Sequence, residues 1–340
     1  MQASKQEWDI RKLLDWAIEY FNLKEIPQPK LSAELLLSSV LGLSRMQLYL
    51  NFGYILKEKE LAKFKEYILR RLKNEPVQYI LKEAFFRNLK LYVDGNVLIP
   101  RPETELLVDK LLITLKENKE DILSANKTLN ILDIGTGSGN IALSIASEIK
   151  NFLFREDTGG ETGSDKTGIE KINAHHDLWH IITTDIEKSA LAIAEKNAKK
   201  NLSESEIKNI EFINCDIIPD LDKAFNKKYK SRVNIIISNP PYIAVQDYEN
   251  LPDEVRNYEP GPALLAGNTG LEIYKKILEK IKSYIDPKLC YLFFETDPNT
   301  AGNLKHLIEK KLNTGFVVID KDYNQRERII TVKIKDVKPK

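Results

Sequence analysis

The residues best suited to chemistry are Asn239-Pro240-Pro241-Tyr242, directly after the apolar run Val233-Asn234-Ile235-Ile236-Ile237-Ser238. An amide nitrogen is a poor nucleophile because its lone pair is conjugated into the carbonyl. The side-chain oxygen of Asn239 and the backbone carbonyl of Pro240 could each accept one N–H of a planar NH2 group, holding the nitrogen in a tetrahedral, nucleophilic form. The two prolines stiffen the backbone that carries both acceptors, since each fixes its own φ and keeps the preceding residue extended. Tyr242 would add a flat apolar wall for stacking. A buried strand that merely ends in a proline turn is the plainer reading of the same residues.

A run of Val and Ile bounded by turn-formers reads as a strand buried on both faces, and open α/β sheets bind ligands at the carboxyl ends of such strands. A second strand, Asn130-Ile131-Leu132-Asp133-Ile134, runs into Gly135-Thr136-Gly137-Ser138-Gly139 and a helix over 140–149. Such a loop lets backbone approach a ligand closely beneath a helix N-terminus. Its spacing differs from the dinucleotide pattern Gly-x-Gly-x-x-Gly and resembles motif I of S-adenosylmethionine-dependent methyltransferases. Asn-Pro-Pro-Tyr resembles the signature of methyltransferases that act on planar nitrogens, either adenine N6 in DNA or glutamine amides in proteins.

An acid that takes ribose hydroxyls is expected at the end of the next strand. That strand is Trp179-His180-Ile181-Ile182-Thr183-Thr184-Asp185, so Asp185 receives the role and 151–178, rich in Gly, Ser, Thr and charge, reads as a disordered insertion. Asp216, at the end of the strand 210–216, is placed near an adenine amino group, with Ile217 against the ring. His175, His176 and His180 match no standard metal-site spacing, and no metal is expected.

The elements before these strands have other jobs. Residues 1–84 read as helical: Trp8, Ile10, Leu13, Leu14, Ala17, Ile18 and Phe21 recur at helical spacing, Ser32 is a candidate N-cap with Gly42 near the end of its helix, and a third pattern runs from Glu58 to Leu72. A plain bundle and a partner-docking module both fit. Residues 85–100 read as a β-hairpin linker turning at Asp94-Gly95, and 101–340 as the catalytic domain. In Pro100-Arg101-Pro102-Glu103-Thr104-Glu105, the charges suit either a pocket wall or the first turn of a helix.

The 340 residues suffice for two domains. Lys plus Arg (51) against Asp plus Glu (50) leaves no overall pull toward nucleic acid. Two lone cysteines, Cys215 and Cys290, fit a reducing compartment. The N-terminus shows no signal core and no apolar run approaches membrane-spanning length, so a cytoplasmic protein is expected.

Several motifs then coincide in order: Glu75-Pro76-Val77-Gln78-Tyr79-Ile80, Leu98 through Glu105, Asp133 through Gly139, Asn239 through Tyr242, and Tyr258-Glu259-Pro260. Together they closely resemble the HemK/PrmC family, the release-factor glutamine methyltransferases, over nearly the whole chain outside 151–178. The resemblance implies an α/β fold: a Rossmann-like class I S-adenosylmethionine-dependent methyltransferase sheet with a small N-terminal helical bundle and a β-hairpin linker. It implies methyl transfer from S-adenosylmethionine to the glutamine amide of the Gly-Gly-Gln loop in peptide chain release factors, by a monomer. Cofactor roles carry over to Gly135, Thr136, Gly137, Ser138, Gly139, Asp185, Asp216, Ile217 and Asn239. Catalysis and substrate binding carry over to Asn239, Pro240, Pro241 and Tyr242, with Arg101 and Glu103 beside the substrate.

The chain departs from the family where Lys82 and Gln325 stand at usual glycine positions and where Glu295-Thr296-Asp297 lacks one. These departures bear on local turns more than on activity. Three rival readings stay open: a glutamine methyltransferase for a ribosomal protein, an adenine-N6 methyltransferase, whose basic groove or target-recognition domain is not evident, and a silent translation-factor-binding protein, which the intact glycine loop and Asn239 oppose.

Overall fold

The chain forms two compact units, Met1–Glu83 with Leu251–Tyr258, and Ala84–Asn250 with Glu259–Lys340. The computed structural model describes residues 7–125, 128–154, 179–219, 233–286, 288–312 and 316–335. From sequence, 251–258 falls within the catalytic domain; the structure groups this stretch with the N-terminal helices.

The first unit is helical: α1 (Ile10–Leu23), α2 (Pro29–Leu41), α3 (Arg45–Leu50), α4 (Glu58–Arg71) and α5 (Val77–Leu81). Asp9 caps α1 through its side chain, and the buried stripe Ile10, Leu13, Leu14, Ala17 and Phe21 faces the shared core. Ser32 is no N-cap. Pro29 opens α2 one turn earlier, as its fixed φ favours, and Ser32 lies buried inside the helix. Gly42 ends α2 in the left-handed conformation, as expected. Arg71, only 2% exposed, explains why 251–258 belongs here. Its guanidinium donates to the carbonyls of Pro27 (3.1 Å) and Glu75 (3.0 Å), to the Ser32 hydroxyl (3.3 Å) and to the Glu254 carboxylate (2.9 Å).

The second unit begins with a hairpin of β1 (Ala84–Phe86) and β2 (Leu89–Leu91) that turns at Arg87-Asn88, not at Asp94-Gly95. Beyond β2 the chain finds side-chain partners instead of a strand. Asn201 accepts from Lys90 N (3.1 Å) and donates to Lys90 O (3.3 Å), while Asn197 does the same for Tyr92 (2.7 and 3.0 Å). These amides stand in for a ladder, so the segment after Asp94 is released from pairing. α6 (Pro102–Glu117) follows, with Pro102 at its first position and Glu103 and Glu105 in the first turn.

Apart from short helical turns and the helix Lys119–Ala125, the elements that follow are β3 (Leu129–Ile134), α7 (Asn140–Phe154), β4 (Trp179–Asp185), α8 (Lys188–Asn201), β5 (Ile210–Asn214), β6 (Ile235–Ser238), β7 (Ile243–Ala244), β8 (Leu265–Gly267), α9 (Glu272–Lys280), β9 (Leu289–Glu295), α10 (Ala301–Leu312), β10 (Val317–Lys321) and β11 (Glu327–Lys335). Among the described residues seven of these strands build one sheet ordered β10-β11-β9-β6-β3-β4-β5, while β7 and β8 pair with each other. β5, β4, β3, β6 and β9 run parallel, and the β10–β11 hairpin closes the sheet antiparallel on β9. One apolar core beneath α6, α7 and α8 and another beneath α9 and α10 bury the two faces, as the continuous apolar runs require. Strand order reverses between β3 and β6, and that switch point is where such sheets hold ligands.

α7 continues to Phe154, past the expected insertion boundary at 151; the rest of that segment, with His175 and His176, lies outside the described residues. No helix among the described residues is long and apolar enough to cross a membrane.

Candidate active site

A cavity of about 490 Å³ opens at the switch point, inside the roughly 300–1,000 Å³ span of small-molecule sites. Of the residues singled out from sequence, it is lined by Gly135, Thr136, Gly137, Ser138, Asp185, Asp216, Ile217, Asn239, Pro240, Pro241 and Arg101. Gly139, Tyr242 and Glu103 do not line it.

The glycine loop hangs on β4. The Gly135 and Thr136 amides both donate to the Thr184 carbonyl (2.8 and 2.9 Å), and the Gly137 amide donates to the Asp185 carboxylate (2.9 Å). Gly135 and Gly137 are left-handed, at φ +72° and +55°, a backbone that side chains resist. Gly139 does a packing job, for a Cβ there would stand 3.1 Å from Leu143 and 3.2 Å from Ala194, where α7 meets α8. The Thr136 hydroxyl donates to Asp133 at 2.6 Å. Asp133 is fully buried, and burial pushes its carboxyl up to about 7.

Asp185 ends β4 as anticipated. One carboxylate oxygen takes the Gly137 amide and the other the Glu187 amide (2.9 Å). Burial raises its pKa, against the pull of these amide donors. Asp216 lies two residues beyond β5, where Lys280 donates to its carbonyl (2.6 Å) and its carboxylate (3.2 Å). Ile217 is left-handed, at φ +72°. That conformation costs a β-branched residue on the order of 1–2 kcal/mol. A hydrogen bond from the Thr184 hydroxyl to the Ile217 carbonyl (2.7 Å) holds it there, on the cavity wall. Cys215 also lines the cavity, and burial pushes its thiol up to about 11, so it stays protonated.

Asn239 follows β6, whose last residue, Ser238, donates to the Ile134 carbonyl at 2.7 Å and so locks β6 against β3. The Asn239 side-chain nitrogen donates to the Thr104 hydroxyl at 3.1 Å. The stacking wall expected of Tyr242 is corrected by the structure: its ring packs against the core on the α9–α10 face, and burial raises its hydroxyl pKa. Its backbone is pressed by the turn at Gly270, where a Cβ would stand 2.6 Å from the Tyr242 carbonyl.

The charges after Pro100 divide. Arg101 faces the cavity and donates to Glu259 at 2.5 Å. Glu103 stays in the first helical turn, and the Glu105 carboxylate accepts the Arg87 amide at 2.9 Å, closing the β1–β2 turn. His180 meets the Asn209 carbonyl at 3.2 Å. Sequence reasoning missed Thr104, Glu259 and Glu295 as parts of this site. The first two stand inside quoted motifs without a role, and Glu295 ends a strand whose last residue carries no local signal.

Comparison with known proteins adds to this geometry. Residues 12–81 match the PrmC N-terminal domain and residues 125–328 a methyltransferase domain. The release factor glutamine methyltransferase of Chlorobaculum tepidum is 35% identical over 322 residues, covering 94% of this chain and 96% of that protein. The protein of the same name from Leptospira interrogans is 36% identical, covering 82% and 85%. That of Bacillus subtilis is 32% identical, covering 94% and 96%.

Proposed function

The chain belongs to the release factor glutamine methyltransferases, and from that premise we propose that its cavity methylates the side-chain amide nitrogen of the glutamine in the Gly-Gly-Gln motif of peptide chain release factors. The chain is an S-adenosylmethionine-dependent protein-glutamine methyltransferase. The narrower reading, with its residue roles, adds that it works as a cytoplasmic monomer without nucleic acid.

The cavity fits the cofactor. At Gly135 and Gly137 an added Cβ would meet no protein atom, so the loop is an open cradle of backbone. The Asp185 carboxylate keeps spare lone pairs beyond the two amides it accepts, which suits a ribose diol. Ile217 and Pro240 supply apolar wall. When bound, S-adenosylmethionine supplies a sulfonium methyl group.

The chain's own residues then work by position. The Asn239 side-chain oxygen and the Pro240 carbonyl accept the two N–H groups of the glutamine amide, drawing the nitrogen out of conjugation. No base is needed beforehand, because the nitrogen becomes acidic enough to lose its proton only once it has been methylated. Tyr242 acts from behind, as core packing that fixes the Pro240-Pro241 backbone. Arg101, at the cavity rim, keeps the Glu259-Pro260 segment against the site, and Glu103 acts through the first turn of α6.

The observation that carries the reading is Asn239 on the wall of the cavity that also holds the glycine loop, with its nitrogen engaged by Thr104. Mass spectrometry of the Gly-Gly-Gln peptide from a purified release factor, incubated with this protein and S-adenosylmethionine, tests it. Ribosomal protein and duplex DNA are run in parallel. One added methyl on that glutamine is the expected result; methyl on adenine or on the ribosomal protein alone would overturn the substrate.

A further inference from the structure

Only one end of the Asn239 amide can accept an N–H, so its orientation decides whether the site works. A half-turn of the side chain would swap oxygen for nitrogen and present two donors to a substrate that itself donates. Thr104 alone does not settle the matter, since a hydroxyl 3.1 Å away could equally donate to the oxygen or accept from the nitrogen.

Glu295 settles it. This carboxyl is 1% exposed at the last residue of β9, the strand beside β6, in a register that pairs Ser238 with Phe294. Its side chain lies beside the Thr104 hydroxyl, which favours the ionised form as a donor, and its Oε2 has no partner among the described residues. An ionised carboxylate can only accept, so it claims the single proton of the Thr104 hydroxyl. Thr104 is then left with lone pairs alone for Asn239, which must turn its nitrogen toward them. We propose that Glu295 is a positioning residue that, through Thr104, fixes the Asn239 side chain with its oxygen toward the substrate amide. The proposal rests on the reading of Asn239 as the amide acceptor.

The surroundings tie this relay to pH. Burial pushes Glu295 up to about 7, partly offset by the Thr104 hydrogen bond. Arg328 from β11 and Arg101 before α6 favour the ionised form, and Glu103 in α6 opposes it. The Tyr242 hydroxyl, beyond β6, is neutral, and the Tyr274 hydroxyl of α9 donates to the Glu295 backbone carbonyl at 2.5 Å. Once protonated, Glu295 can donate to Thr104 and free the Thr104 proton to point at Asn239. Turnover should therefore decline on the acid side of the Glu295 pKa, with cofactor binding intact.

The full-length chain is assayed as Thr104→Val, Thr104→Ser and Glu295→Gln. The readouts are kcat and KM for a Gly-Gly-Gln-bearing release factor, S-adenosylmethionine affinity by calorimetry, and kcat between about pH 5.5 and 9. Thr104→Val should lower kcat by about a hundredfold with cofactor affinity within about twofold of wild type. Thr104→Ser, which keeps the hydroxyl, should restore kcat to within about threefold. Glu295→Gln, nearly isosteric, should flatten the acid limb of the profile. A Thr104→Val enzyme with wild-type kcat, or an acid limb that survives in Glu295→Gln, overturns the inference alone. A wild type that leaves the glutamine unmodified overturns the reading of the reaction as well.

Discussion

Arg101 and Glu259 stand 158 residues apart in sequence and meet at 2.5 Å over the cavity rim. The Glu259 carboxylate, almost wholly buried, also accepts the Ile99 amide at 3.2 Å. One ion pair thus joins the segment entering α6 to the Pro260–Leu265 stretch that walls the cavity. Arg101→Ala would take the Arg101 guanidinium away from a buried carboxylate, a loss on the order of 3 kcal/mol. Denaturant unfolding should show that loss, and KM for the release factor should rise in the same variant. A variant equal to wild type in both would mean that the pair is incidental.

Asn239→Ala removes one of the two acceptors proposed for the substrate nitrogen. A drop in kcat of about 10²–10³ is expected, by analogy with removal of one preorganised group from an oxyanion site. Because Asn239 is only half-buried, the fold should survive, and a thermal melt beside the kinetics checks this. Near-wild-type turnover would sink the mechanism.

Lys82 and Gln325, the two departures from family glycines, both sit left-handed, at φ +54° and +62°. Lys82 ends α5 with its amide on the Gln78 and Tyr79 carbonyls, the usual place for a glycine. Gln325 closes the β10–β11 turn onto the Asp322 carbonyl at 2.9 Å. Lys82→Gly and Gln325→Gly should each stabilise the protein by about 0.5–1 kcal/mol, since glycine carries no Cβ penalty there. Urea midpoints measure this, and a fall in either midpoint would show that the side chain contributes more than its backbone costs.

Stability should fall as pH rises toward neutrality. Asp133 and Glu295 have unperturbed values of 3.8 and 4.5 and are each raised to about 7. Between those limits the folded chain binds more protons than the unfolded chain. The contribution of these groups is therefore full at low pH and lost as pH climbs through about 7. Each ionisation withdraws on the order of 3 kcal/mol. Glu295→Gln cannot ionise, so its melting temperature should decline less than wild type from pH 5 to 8; parallel declines would show that Glu295 does not titrate in that window.

The candidate site was legible in the sequence where spacing itself fixes the local backbone. Gly135 and Gly137 need a left-handed backbone, Asp185 ends a strand at a fixed place in the topology, and Asn239 is held by two prolines. Each is a local statement that a linear sequence can make. Thr104, Glu259 and Glu295 were not legible as site residues because their roles arise only when β9, α6 and the segment after Tyr258 are brought together. Tyr242 was misread for the same reason, since nothing in Pro-Pro-Tyr says which way the ring turns. The hairpin failed instructively. Asp94-Gly95 is a true turn, with the Val97 amide on the Asp94 carbonyl at 3.1 Å. Asn197 and Asn201, 105 and 111 residues beyond Tyr92 and Lys90, nevertheless claim the backbone that a returning strand would have used.

Those two asparagines also bear on how the protein behaves in a crowded solution. A short two-stranded hairpin normally offers one row of unsatisfied amides and carbonyls to any passing extended chain, the opening step of β-type aggregation. Asn197 and Asn201 occupy that row on Lys90 and Tyr92 from within the same molecule. That edge of the hairpin is thereby satisfied from within the molecule, beside the exposed Lys90, and has less backbone to offer a neighbouring strand.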